Sequence, residues 1–73
     1  MNNVVDARGL SCPLPVLKTK AAIEKGDQEI EVLVDNKTAL ENVTRLAKSR
    51  GFVVETEENI RGEWQLSLRH PGA

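Results

Sequence analysis

The chain has 73 residues, enough for one domain with a thin core. Ten Lys and Arg stand against eleven Asp and Glu, a formal net charge of −1, and aromatics are limited to Phe52 and Trp64. A nonspecific polyanion binder is normally basic, and two aromatics make no platform for stacking bases, so direct nucleic-acid binding is not expected.

Cys12 stands alone, which excludes an internal disulfide, and no His/Cys cluster has metal-ligand spacing. That pattern fits a reducing, cytoplasmic setting. Apolar runs do not exceed three residues, so neither a signal peptide nor a membrane span is expected. Residues 1–73 read as a single domain, and Pro71 in the tail HPGA is compatible with a domain cut from something longer.

In chain order, VVDA (4–7) reads as a short strand. Residues 13 to about 25 read as a helix closed by Gly26. EIEVLVD (29–35) alternates, with Ile30, Val32 and Val34 on one face, and is a strand. A second helix spans about 37–50, where Thr38 and Glu41 have capping-box spacing and Leu40, Val43 and Ala47 share a stripe; Gly51 ends it. FVVETE (52–57) and EWQLSLR (63–69) are two more strands, joined by a polar turn at Gly62. The order βαβαββ predicts an α/β (α+β) two-layer sandwich, a four-stranded mixed sheet with both helices on one face, because right-handed crossovers put them in the same layer.

Chemistry concentrates in RGLSCPLPVLKTK (8–20). Proline is favoured at the first helical position, where its missing N–H costs nothing, so Cys12 is expected at the N-cap, Pro13 at N1 and Pro15 at N3. Gly9 lets the approach loop come close. A thiol at the positive end of a helix dipole loses its proton more readily, and the same field favours a persulfide anion. Pro13 and Pro15 withhold two amide donors, so that stabilisation should be moderate. Arg8 and Lys18 are candidates for electrostatic support or partner contact, with Asp6 placed to fix Arg8; Lys18, Lys20 and Lys25 could equally be a solvated face.

The helix carries two apolar stripes, and the set Val16, Thr19, Ala22 and Ile23 is expected to face the sheet. Leu14 and Leu17 are then left exposed around Cys12 as a docking surface for protein partners. The competing reading is that Cys12 is inert and buried, as most free cysteines are, and that the chain is a nucleic-acid or protein binding module. C-P-L-P lacks the second thiol of a redox pair. His70 is expected to be an exposed strand-end residue rather than a partner for a Cys-His hydrolase. Phe52 and Trp64 are expected in the core, and Asp35-Asn36 as a turn and cap.

VDARGLSCPLPVLKTKAAIE followed by EIEVLVDNKTALENVTRLAKSRGF resembles the TusA/SirA/YedF family of sulfur carriers, most of all the N-terminal domain of YedF-type proteins associated with selenium metabolism. The hallmark is Gly9, Leu10, Cys12, Pro13 and Pro15 at the start of the first helix. The resemblance implies a sandwich like the C-terminal domain of initiation factor three. It also implies a monomeric sulfurtransferase-type carrier whose Cys12 takes sulfane sulfur from a cysteine desulfurase. A DsrE-like or other acceptor would receive it, for tRNA thiolation or related sulfur or selenium metabolism, with no metal or organic cofactor.

Overall fold

A computed structural model describes residues 3–11 and 13–71, without the side chain of Asn3. The elements are β1 (Asn3–Asp6), α1 (Leu14–Glu24), β2 (Glu29–Val34), α2 (Lys37–Ser49), β3 (Val53–Glu58) and β4 (Trp64–Arg69). The strands form one sheet in the order β1-β2-β4-β3. β1 runs parallel to β2, and β4 is antiparallel to both β2 and β3. The expected two-layer α+β sandwich is the fold observed.

Alternation decides which face of the sheet is dry. Ile30, Val32 and Val34 of β2 and Leu66 and Leu68 of β4 are sealed beneath the helices, in register as Ile30–Leu68 and Val32–Leu66. α2 adds Ala39, Val43 and Ala47 to this core, and Phe52 and half-buried Trp64 pack with it. Glu31, Leu33, Gln65 and Ser67 point to the other, uncovered face.

The two helices bury their faces differently. α2 is amphipathic, whereas α1 is apolar on both sides. Pro15, Thr19 and Ala22 of α1 are buried, with Val16 and Ile23 against the core, while Leu14 (45 %) and Leu17 (51 %) remain exposed. The β-branched stripe does face the sheet. Thr19 is fully buried because its hydroxyl donates to the Pro15 carbonyl at 2.9 Å, leaving no bare polar group.

The cap expected at Asp35-Asn36 is present, whereas the capping-box spacing at Thr38 goes unused and His70 differs from expectation. Asn36, not Thr38, caps α2: its side-chain oxygen accepts the Ala39 N–H at 2.7 Å, so the helix begins before the capping-box pair can serve. His70 is half-buried rather than exposed. Its N–H donates to the Gln28 carbonyl, and its ring meets Phe52 edge to face at 5.0 Å. At the end of α2, Gly51 takes φ +84°, and the N–H groups of Gly51 and Phe52 close back on the carbonyls of Lys48 and Ala47.

Charge is divided between the layers. The helices and their caps, 13–25 and 36–50, carry seven Lys and Arg against two Glu. The four strands carry six Asp and Glu against one Arg.

Candidate functional site at the start of the first helix

The site is built by topology before any side chain contributes. Because β1 and β2 are parallel neighbours and each leads into a helix, α1 and α2 begin at the same end of the sheet. Ligands in open α/β folds bind in the crevice beyond such strand ends. Here a cleft of about 240 Å³ separates the two helix starts, with Ser11, Pro13, Pro15 and Val16 on one side and Asn36, Thr38, Ala39 and Asn42 on the other. Neither helix has an acidic residue in its first turn, although the Asp35 carboxylate stands directly before the α2 cap.

Cys12 itself lies outside the described residues, so the expectation of an N-cap thiol is carried by its neighbours. They shift the helix start by one position. Pro13 is the N-cap, with φ −100° and ψ 17°, Leu14 is the first helical residue, and Pro15 is the second rather than the third. The Pro13 carbonyl accepts the Leu17 N–H at 3.0 Å, the first bond of the helix, and Leu14 N–H closes a turn on the Ser11 carbonyl at 2.9 Å.

The approach loop is tied at successive residues. The Ala7 N–H donates to the Leu33 carbonyl at 2.8 Å, continuing the parallel ladder past β1. Arg8 reaches back to Asp6 through Nε and a terminal nitrogen, both at 2.9 Å, and touches Glu63 at 3.5 Å. The expected fixing of Arg8 by Asp6 is present, and it turns the guanidinium towards carboxylates. The side-chain hydrogen bond from Arg8, aided by its backbone N–H, holds the Asp6 carboxyl down at about 2; a weaker through-space pull comes from Lys18. The same pair raises Arg8 above its ordinary range. Gly9, at φ +77°, donates its N–H to the Asp35 carboxylate at 2.7 Å. Leu10 is half-buried and packs on the core.

Of the residues expected at the site, Gly9, Pro13 and Pro15 thus gather at the helix start, with Leu10 anchoring the loop in the core. Leu14 and Leu17 form an exposed apolar pair beside them. Asp35 was not expected to take part. Its bond to Gly9 spans 26 residues, and only the parallel pairing of β1 with β2 brings the two together.

Among the described residues no group of three or more His, Cys, Asp or Glu could hold a metal ion, and no helix is long and apolar enough to cross a membrane. Residues 3–70 match the family described as Sulfurtransferase TusA. The chain belongs to that family. Within it, the chain is 39 % identical to a candidate sulfur carrier protein of Methanocaldococcus jannaschii over 67 residues, 89 % of either chain. It is 38 % identical to the candidate sulfur carrier YrkI of Bacillus subtilis over 61 residues, 78 % of this chain and 81 % of YrkI. The crystal structure of a SirA-like protein from Desulfitobacterium hafniense superposes with a TM-score of 0.79 at 32 % identity, covering 94 % of this chain and 96 % of that one. The TusA/SirA membership and the fold agree with the resemblance carried by the Gly9-to-Pro15 run.

Proposed function

We propose that this chain is a sulfur carrier that holds a persulfide on Cys12. The Cys12 thiolate attacks the outer sulfur of a donor persulfide, such as that of a cysteine desulfurase, and the donor leaves as its thiolate. An acceptor thiolate then attacks the outer sulfur on Cys12, and the Cys12 thiolate is released. Sulfur changes hands with no net redox change and no cofactor.

The observation that carries this reading is the pair of helix starts, neither offset by an acidic first turn, at the end of the sheet where the chain leads into Cys12. That environment favours an anionic sulfur. Leu14 and Leu17, exposed and followed by Lys18, offer an apolar contact with a cationic rim to donor and acceptor proteins. In this reading the carrier is a cytoplasmic monomer. Its acceptor is a DsrE-like or other thiol protein serving tRNA thiolation or related sulfur or selenium metabolism.

Incubation with a cysteine desulfurase and cysteine, followed by intact-mass measurement, tests the proposal. The expected result is a gain of one sulfur that dithiothreitol removes and that Cys12→Ser abolishes. A gain that persists in Cys12→Ser, or no gain in the unmodified chain, overturns it.

A further inference from the structure

We infer that Asp35 is the positioning residue of the Cys12 loop, acting through the hydrogen bond that its carboxylate accepts from the Gly9 N–H. This deepens the carrier reading and rests on it for its functional meaning.

The loop from Ala7 to Ser11 must turn the chain from the end of β1 into α1 within a few residues. On the β1 side it is held by Ala7 on Leu33 and by Arg8 on Asp6. Nearer Cys12, Leu10 packs on the core and the Ser11 carbonyl accepts the Leu14 N–H, but neither contact ties the loop to the β2–α2 junction across the cleft. Gly9 is three residues before the cysteine, and its left-handed backbone, φ +77°, aims the N–H at Asp35. The bond is 2.7 Å, short for an amide donor and in the range of a charge-assisted pair.

Asp35 is itself well anchored. It follows Val34, the sealed last residue of β2, and precedes Asn36, which is locked onto Ala39 as the α2 cap. The second carboxylate oxygen lies 3.4 Å from the Asn36 side-chain amide. The loop is thereby registered to the rigid β2–α2 junction, across the cleft from Pro13 and Pro15. An acidic side chain beside a site meant to hold anionic sulfur is unfavourable for that anion, a cost set against its favourable place before α2 and its bond to the Gly9 N–H.

The test separates hydrogen bonding from charge. Asp35→Asn keeps an oxygen that can accept from Gly9, whereas Asp35→Ala removes it. A third protein, joined by native ligation at Cys12 with glycolic acid in place of Gly9, lacks the donor and keeps the carboxylate. Each is assayed for sulfur uptake from a desulfurase and for alkylation of Cys12 by iodoacetamide across pH, with circular dichroism confirming the fold. Misplacement of a reacting group by a fraction of an ångström to an ångström costs roughly ten- to a hundredfold in rate.

The expected result is a loss of at least about tenfold in uptake for Asp35→Ala and for the glycolic-acid protein, with Asp35→Asn within about threefold of the parent. The alkylation profile should shift for the first two and not by misfolding. Equal impairment of Asp35→Asn and Asp35→Ala, or unchanged uptake and alkylation in Asp35→Ala, overturns the inference. Should the parent take up no sulfur, the carrier reading fails alone, because the alkylation profiles still report whether Asp35 sets the thiol's environment.

Discussion

Arg8 holds Asp6 with two parallel hydrogen bonds, Nε to one carboxylate oxygen and a terminal nitrogen to the other, each 2.9 Å. Both side chains are about half exposed, so the pair organises the start of the loop rather than stabilising the fold strongly. Its signature is in titration. Asp6 is depressed from an ordinary 3.8 to about 2, so the unfolded chain takes up this proton first as pH falls. The contribution of the pair is complete above about pH 4 and is lost as pH drops towards 2. Carboxyl carbon shifts followed by NMR should give Asp6 a midpoint near 2, returning towards the ordinary value in Arg8→Gln. A midpoint near 4 in the parent would contradict the geometry.

Asn36, rather than Thr38, is assigned the cap of α2 by its bond to the Ala39 N–H. Asn36→Ala should lower stability by about 1 kcal/mol in urea unfolding, and Asn36→Asp should leave it almost unchanged, since both residues cap well. Thr38→Ala should cost little. A larger loss at Thr38 than at Asn36 would reverse the assignment.

Gly26 and Gly51 both end helices with positive φ, +100° and +84°, but their surroundings differ. A Cβ on Gly26 meets nothing within 4 Å, whereas one on Gly51 would lie 3.3 Å from Nε2 of His70. Alanine at either site forces a left-handed residue, worth about 1–2 kcal/mol. Gly51→Ala should cost more than Gly26→Ala and should disturb the His70 ring signals. Equal losses with an unmoved His70 would show that the ring yields freely.

Leu14 and Leu17 contribute little to the core, so Leu14→Ser combined with Leu17→Ser should change stability by no more than about 1 kcal/mol. If the pair docks a protein donor, sulfur uptake from the desulfurase should fall several-fold while uptake from free polysulfide stays level. Parallel loss from both donors would point to a damaged thiol environment instead of a lost contact.

The sequence made most of the fold legible because its periodicities are clean. Ile30, Val32 and Val34 alternate in β2, and Val43 and Ala47 recur at helical spacing in α2, each pattern leaving one dry face. α1 was harder, with apolar residues all round, and its orientation followed from the choice of branched residues over leucines. Boundaries moved by a residue where local rules competed: Pro13 satisfies the preference for an early proline either as N-cap or as N1, and only the Pro13–Leu17 bond decides. At the site, Gly9, Pro13 and Pro15 were visible as a local run. Asp35 was not, since nothing within its own stretch distinguishes a capping turn from a tether to a loop 26 residues earlier. The partial burial of His70 is hidden in the sequence for the same reason: its ring contact with Phe52 depends on β4 lying beside β3.

The separation of cations on the helices from anions on the strands gives this nearly neutral chain a large dipole across its thickness. A charged macromolecule approaching within a screening length, about 10 Å at 0.1 M salt, would exert a torque that swings one broad side towards it before any atoms touch. Bulk measures such as isoelectric point or electrophoretic mobility register only the sum and would miss this handling of orientation.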